Sequence, residues 1–557
     1  MYNILIGGAA GQGIDTAVGI LEKLLKKSGY FVYTTRDFMS RVRGGHNFSV
    51  IRFGDEIITS HIDHFDGIIA LNGETIILHK DKLNENGFIL CDNKILTDEP
   101  KAIKLDMDKM AQELGNIRVA GSIAIGAVLK LFGENLDHVE EVMKSSVKQP
   151  YLEINIEAIN LGFGSVDERF KHIDGNFSNW IMLSGSKSLA LGAIAAGLKF
   201  YSAYPMSPST TIMEYLASKS VDAQLVVEQA EDEIAAINMA IGASFAGARA
   251  MTGTSGGGFC LKVEALGLAG IAEIPLVVVD VQRPGPATGL PTRTEQSDLK
   301  FVISAAQGEF PRMVIALRNH KDAFYQTIRA FSIAEKYQIP VIILSDQYLG
   351  DSTASVEPFD LESITMDEPK VSEEDYANYL RYRFTEDGIS PRLIPGKTKN
   401  FVAADSDEHD ERGWITESAK MRVDMMDKRM KKLIKLEEEL LEPDFIGGES
   451  CEVLIVGWGS TYGPIAEAIR VLNQKEEGKY GALVFGDIYP LPKKLLEKMA
   501  SSAKKVINVE QNATGQLAGL IREETGIQCS HSILKYDGRQ ISGEEIVKEL
   551  LGGDMND

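Results

Sequence analysis

The chain has 557 residues, of which 44% are hydrophobic and 25% charged, and a formal net charge of −22. That length predicts three or four domains at roughly 150 residues each, and the acidity argues against nucleic acid as a partner, because a phosphate-neutralising basic surface is missing overall. Cys91, Cys260, Cys451 and Cys529 form no Cys-x-x-Cys pair and no stretch approaches a membrane-spanning apolar run, which leaves no recognisable zinc or iron–sulfur ligand run, no expected membrane span, and cysteine usage that fits a reducing, cytoplasmic compartment.

The first block, residues 1–175, opens with the strand YNILIGG, a turn AAGQG, the amphipathic helix DTAVGILEKLLKKSG and the strand YFVYTT. Strands alternating with helical patterns predict a mostly parallel, doubly wound sheet. The turn places Gly8, Gly11 and Gly13 as G-x-x-G-x-G, not as the dinucleotide G-x-G-x-x-G, and no acid ends the next strand, so a nicotinamide cofactor is disfavoured. The turn fits either a tight bend without ligand or a phosphate cradle of backbone N–H groups. Downstream, SRVRGGHN supplies Arg41, Arg43 and His46 beside two glycines, a pattern that suits a phosphate-rich ligand or an interface ion pair.

The second block, residues 180–355, alternates helices rich in Ala and Gly with strands such as QLVVE, ARAMTGTS and PLVVVDV. In AYPMSPSTT, Pro208 is expected at the first helical position with Ser207 as N-cap, which is also a geometry that can hold a carboxylate. Glu231, Asp232 and Glu233 fall in one helical first turn. They read either as solvated acids favoured by the helix dipole, or as including one carboxyl whose burial raises its proton affinity. The glycines of MTGTSGGGF, after Thr254 and Ser255, imply close backbone approach. The loop DVQRPGPATGLPTRTEQSDL carries Arg283 and Arg293 at a strand's C-terminal end, where open α/β sheets bind ligands and a guanidinium grips a carboxylate.

Residues 356–449 carry charge runs and Pro/Gly punctuation and are expected as a long surface connection ending in a solvated charged helix. Residues 450–557 repeat the strand–helix alternation as a third small parallel sheet.

Taken together, YPMSPSTT, VEQAEDEIAAINMAIGASFAGARAMTGTSGGGF, QRPGPATGLPTRTEQSDL, DGISPRLIPG, SDEHDERG and VEQNATGQLAGLIR resemble the α subunit of 2-oxoacid:ferredoxin oxidoreductases over most of 180–530. Residues 1–165 look like that family's γ domain, fused in front. The resemblance implies three parallel-sheet α/β domains: a γ-type domain, the pyrimidine-binding domain of a thiamine enzyme, and a transketolase C-terminal-like domain. It implies cleavage of a 2-oxoacid, in either direction, with thiamine diphosphate, coenzyme A as co-substrate and ferredoxin as electron partner. 2-Oxoglutarate is the first choice of substrate, with 2-oxoisovalerate or pyruvate as alternatives.

Carried over position by position, the resemblance makes Glu233 the catalytic acid that bonds the cofactor's aminopyrimidine. Thr254 and Ser255 become cofactor contacts, and Ser207 and Arg283 substrate contacts. Gly11, Gly13 and Arg43 become contacts to coenzyme A. Met206 and Ser207 stand where the family has Ile and Thr, and Gly257 where it has Pro. No Gly-Asp-Gly followed by a suitably spaced Asn occurs, so a β subunit is expected to bring the diphosphate grip, Mg2+ and a [4Fe–4S] cluster, with this chain holding no metal. Because ferredoxins are acidic like this chain, the electrons are expected to leave through that partner or a local basic patch. The rival of another class is a non-catalytic nucleotide-binding or scaffold subunit on the same sheets.

Overall fold

Near-continuous apolar strands such as Leu276–Gln282, buried at every position, need cover on both faces, and the intervening helices supply it. The structure is a computed structural model that describes residues 1–39, 45–366, 379–448 and 450–552. It divides into two units, one formed by Met1–Leu183 with Ser352–Pro358 and the other by Ser184–Asp351 with Phe359–Asp557. The α/β class expected from the sequence is the class observed.

The first unit holds an eight-stranded sheet around Tyr2–Ala9. Phe65–Ala70, Leu83–Asp92 and Ala102–Leu105 follow on one side in parallel. On the other side His46–Gly54 and Phe31–Asp37 run antiparallel, followed by Thr353–Val356. The first sheet is therefore parallel on one side of Tyr2–Ala9 and antiparallel on the other. Only residues 38–45 separate Phe31–Asp37 from His46–Gly54, too few for the crossover that a parallel pair needs.

Two helices of this unit, Ala120–Leu131 and Leu152–Phe163, meet backbone to backbone. A Cβ on Gly126 would lie 1.9 Å from the Ile159 carbonyl oxygen, and one on Gly162 would lie 1.9 Å from that of Ile123.

The second unit contains a seven-stranded sheet in the order Asp487–Tyr489, Met313–Ala316, Pro340–Asp346, Leu276–Gln282, Ala250–Thr254, Phe200–Ala203 and Val226–Gln229. The paired strands are parallel except for the edge strand Asp487–Tyr489. A five-stranded sheet, centred on Val453–Trp458, shares one hydrophobic core with it. In that smaller sheet the buried Glu510 carboxylate accepts hydrogen bonds from Trp458 Nε1 and from the backbone N–H groups of Leu517 and Ala518. The N-terminus of the helix Gln516–Thr525 is thus satisfied by the chain itself.

The charged helix Ala419–Glu437 is not solvated along its length. Lys428, Arg429 and Lys432 are buried, because Glu273, itself fully buried, accepts two hydrogen bonds from Lys428 Nζ at 2.7 and 2.8 Å and pairs with Lys432. Burial alone would raise the proton affinity of Glu273, but the two lysines hold it well below the usual carboxylate range. The second half of the presumed surface connection is therefore anchored in the unit by buried charge.

The reciprocal glycine contact in the first unit can be checked by a matched pair of variants. Gly126→Ala should lower stability by about 1–3 kcal/mol through overpacking. Gly121→Ala, on the same helix with nothing within 4 Å of its Cβ, should be neutral or slightly stabilising. Thermal unfolding of the two proteins side by side measures the difference.

Candidate functional site

Four laterally adjacent parallel strands of the second unit deliver the residues singled out in the sequence. Val226–Gln229 leads to Glu233, Phe200–Ala203 to Ser207, Ala250–Thr254 to Ser255, and Leu276–Gln282 to Arg283. All four exits lie at the C-terminal ends of their strands, the end at which open α/β sheets bind ligands.

Glu233 is the first residue of the helix Glu233–Phe245, and Asp232 caps it by accepting a hydrogen bond from Ala235 N–H at 2.7 Å. The three acids of this turn separate sharply. Glu231 and Asp232 are exposed, as the solvated reading requires, whereas Glu233 is only 4% exposed. The Ser202 hydroxyl fixes the turn by donating to the Ala236 carbonyl oxygen at 2.6 Å. The Glu233 side chain lies against Gly258, where a Cβ would come within 2.7 Å of Glu233 Oε1 and 2.2 Å of Thr254 Oγ1.

Gly256 is restricted in the same way, since a Cβ there would lie 2.5 Å from Asp298 Oδ2. Gly257, by contrast, has nothing nearer than the Ala287 carbonyl oxygen at 3.6 Å. The one glycine that stands in place of the family's proline is thus the one whose position tolerates a side chain.

Ser207 precedes the helix rather than capping it. The helix runs Thr210–Ala223 with Ser209 as N-cap, and the Ser207–Pro208 bond is cis. The expected placement of Ser207 at the cap and Pro208 at the first helical position is corrected by two residues. The Ser209 hydroxyl instead donates to the Met206 carbonyl oxygen at 2.8 Å, closing the turn. Ser207 is exposed, and its backbone carbonyl accepts a hydrogen bond from Arg283 Nη1 at 2.6 Å. The two predicted substrate contacts are therefore brought together, through the main chain of one of them. Thr254 Oγ1 lies 3.9 Å from Met206 Sδ, a hydroxyl-to-thioether contact that the family's isoleucine would not provide.

Ser255 Oγ and Arg283 Nε are among the atoms buried here without a hydrogen-bond partner in the chain. Buried polar groups are normally paired. An orphan hydroxyl beside Thr254 and Glu233, at the foot of a glycine turn, fits the contact surface of a polar heterocycle. An orphan guanidinium N–H fits an anionic oxygen. The residues present therefore fit thiamine diphosphate and a carboxylate substrate.

The sequence reading missed two further features. Lys262, fully buried, donates to Thr252 Oγ1 at 2.7 Å and reaches the Glu233 carbonyl oxygen at 3.5 Å. Asp280, also fully buried, is level with Thr254 on the neighbouring strand. Neither of its carboxylate oxygens meets an N–H or hydroxyl donor; the group that faces it is the Asp298 carboxyl. A hydrogen bond between two carboxyls requires a proton on one of them. Burial raises both, Asp298 to about 6, while Arg283 opposes the rise at Asp298. The only signal in the sequence was a charge set in an apolar or glycine-rich run: Lys262 in GGGFCLKV and Asp280 in PLVVVDVQ.

In the first unit, Gly11 and Gly13 have φ of +90° and +80°, with nothing within 4 Å of a Cβ at either position. The turn is closed by Gln12, whose Oε1 accepts from Ala9 N–H and whose Nε2 donates to the Leu71 carbonyl oxygen. Arg43 lies outside the described residues. His46 is buried with its Nε2 2.8 Å from that of His79. Among the described residues no group of three or more His, Cys, Asp or Glu side chains is arranged to hold a metal ion, and no helix is long and apolar enough to cross a membrane.

The fold and this arrangement define an oxoacid oxidoreductase subunit of the thiamine class, and comparison with known proteins agrees. The family described as "Pyruvate flavodoxin/ferredoxin oxidoreductase, thiamine diP-bdg" matches residues 191–428. "Pyruvate ferredoxin/flavodoxin oxidoreductase" matches 3–165, and "Pyruvate:ferredoxin oxidoreductase core domain II" matches 451–546. A 2-oxoacid:ferredoxin oxidoreductase subunit alpha from a Sulfolobus species is 33% identical, covering 98% of this chain and 96% of that protein. A 2-oxoglutarate oxidoreductase subunit KorA from Mycobacterium tuberculosis is 32% identical over 78% of this chain and 69% of its own. The solved structure of 2-oxoglutarate:ferredoxin oxidoreductase from Magnetococcus marinus, with 2-oxoglutarate, coenzyme A and succinyl-CoA bound, matches with a TM-score of 0.92 and 33% identity over 99% of both chains. The chain belongs to the 2-oxoacid:ferredoxin oxidoreductase family, as its α subunit.

The carboxyl pair makes stability depend on pH. Both groups hold their protons to higher pH when folded, so the stability they contribute is full below the unfolded carboxylate value, near pH ~4; the share of Asp298 is lost as pH rises through about 6, and that of Asp280 as pH passes its own raised value. Asp280→Asn leaves one acid instead of two. It should therefore stabilise the protein by about 1–3 kcal/mol above pH ~7 and have little effect near pH ~4. Unfolding midpoints of variant and parent at the two pH values test this; a difference that does not vary with pH contradicts it.

Proposed function

We propose that this chain is the catalytic α subunit, with the γ part fused in front, of an enzyme that converts 2-oxoglutarate and coenzyme A to succinyl-CoA and CO2 and passes two electrons to ferredoxin. The observation that carries the reading is the delivery of Glu233, Ser207, Ser255 and Arg283 by four neighbouring strand ends. The likeness over 99% of its length to a structure holding 2-oxoglutarate and coenzyme A supports the choice of substrate. The enzyme would work in the cytoplasm, in keeping with four cysteines that form no disulfide.

When bound, thiamine diphosphate supplies the carbon nucleophile and electron sink that decarboxylation of a 2-oxoacid requires. Glu233 would hold a proton against the aminopyrimidine nitrogen, in a setting from which water is largely excluded. Thr254 and Ser255 would line the cofactor, the Ser255 hydroxyl gaining there the partner it lacks within the chain. Arg283 would grip a substrate carboxylate with its unpartnered Nε–H, while its Nη1 holds the Ser207 main chain in place. The Ser207 hydroxyl, exposed beside it, would orient the 2-oxo group.

This sequence has neither a Gly-Asp-Gly…Asn motif nor a Cys-x-x-Cys pair, which supports assigning Mg2+, the diphosphate grip and the [4Fe–4S] cluster to a β subunit without which the chain is inactive. Coenzyme A is assigned to the glycine turn of the first unit. The open outer side of Gly11 and Gly13 supports this, with Arg43 as a further contact.

Co-expression with the β subunit and a viologen-reduction assay over a panel of 2-oxoacids tests the proposal. Reduction should be fastest with 2-oxoglutarate; a faster rate with pyruvate or 2-oxoisovalerate reassigns the substrate. Glu233→Gln in the same complex should lower kcat about 10²–10⁴-fold, and retained turnover would remove Glu233 from the chemistry and favour a scaffold role.

A further inference from the structure

A helix leaves the N–H groups of its first turn without partners, and an aspartate at the N-cap ordinarily satisfies one with its side chain. Asp298 stands at that position of the helix Leu299–Ile303, yet its side chain makes no capping bond. The Lys300 N–H, which such a cap would serve, donates instead to Gln516 Oε1 at 2.9 Å. The same amide donates from Nε2 to the Ser297 carbonyl oxygen at 2.7 Å. Gln516 thus grips the main chain on both sides of Asp298. The Asp298 N–H is held in turn by Gln282 Oε1 at 3.1 Å.

Gln516 opens the helix Gln516–Thr525, at the end of VEQNATGQ, and its place is fixed because Glu510 accepts from the N–H groups of Leu517 and Ala518. A methionine would fill the same space but leave the Lys300 N–H and the Ser297 carbonyl unpaired. Relieved of the cap, the Asp298 carboxyl lies elsewhere. Its Oδ2 is buried, meets no N–H or hydroxyl donor, and stands 2.5 Å from where a Cβ on Gly256 would be. The carboxyl faces Asp280 and feels the charge of Arg283.

We propose that Gln516 is a positioning residue for the carboxylate side of the site: by capping the helix Leu299–Ile303 in place of Asp298, it leaves the Asp298 carboxyl free to face Asp280 and the glycine turn. The consequence for substrate rests on the role proposed for Arg283. Without Gln516 the nearest acceptor for the Lys300 N–H is the carboxyl two residues before it, and the pair with Asp280 is lost.

The test uses the co-expressed complex. In a crystal structure of Gln516→Met the Asp298 carboxyl should have turned to accept from the Lys300 N–H. A carboxyl still facing Asp280 overturns the inference, even if the unfolding temperature is lowered. The kinetic counterpart is the pH profile of KM for the 2-oxoacid turned over fastest. In the parent, KM should rise about fivefold as pH passes about 6, where Asp298 ionises and competes with the substrate for Arg283. Asp280, Glu295 and Cys260 also feel Asp298, and they are the same in parent and variant. In Gln516→Met the step should move down toward the ordinary carboxylate value, near pH ~4, because a capping bond favours the ionised form. Gln516→Glu keeps the acceptor for the Lys300 N–H and should retain the parent step.

If Gln516→Met does not fold, Gln516→Glu decides: a parent-like step is expected, and a step moved down overturns the inference. A carboxyl that turns in Gln516→Met while the KM step stays in place would sink the role of Arg283 and leave the capping by Gln516 standing.

Discussion

The site depends on the absence of a side chain at residue 258. The Glu233 carboxyl and the Thr254 hydroxyl occupy the space that a Cβ there would need, so the glycine turn and the buried acid define each other. Glu233 leaves one strand and Gly258 follows another, two places away in the sheet. Their contact ties the first turn of the helix Glu233–Phe245 to the loop after Ala250–Thr254. A residue with any side chain at 258 would push the carboxyl toward water.

The same economy of space runs across the sheet. Gly256 leaves room for Asp298, Asp298 faces Asp280, and Asp280 is level with Thr254 on the adjacent strand. Arg283 stands next in this chain of contacts, feeling the Asp298 carboxyl and holding the Ser207 carbonyl. Arg283 and Thr254 are thus linked through a buried carboxyl pair. Away from the site, the Glu273 node with Lys428 and Lys432 does comparable work. It anchors the helix Ala419–Glu437 by charge where the sequence offers few apolar residues to bury.

What was legible in the sequence follows from the range of the interactions involved. Alternating apolar runs reveal strands and helices because burial acts on every residue of an element, and the class was read correctly on that basis. The place of Thr353–Val356 in the first sheet was hidden, because it lies more than 300 residues from its neighbour Phe31–Asp37. Pro208 suggested a helix start, yet the helix begins at Thr210, because the Ser209 hydroxyl closes the preceding turn on Met206. Propensity marks where a helix can begin, and a local side-chain hydrogen bond in the preceding turn chose where it does. Of the acids at 231–233, only the fold could tell which one is buried. Lys262, Asp280 and Asp298 were missed for a related reason. A charge in an apolar run reads as a surface position until the structure puts another charge beside it.

The buried charges of the site form two couples, and their arrangement bears on what the pocket can bind. Glu233 is set against Lys262, and Arg283 against the Asp280–Asp298 pair, in which one carboxyl carries the proton. In each couple burial pulls the cation down from its ordinary value while a neighbouring carboxylate opposes the pull, so neither side is fully neutralised. Under the role proposed for Arg283, an incoming carboxylate would compete with Asp298 for it. If Asp298 takes up a proton as the substrate arrives, Arg283 is released to the ligand without a net charge being left buried. A pocket balanced by an acid with a value of about 6 would, under the same proposal, exchange a proton for a carboxylate near neutral pH, which keeps binding reversible.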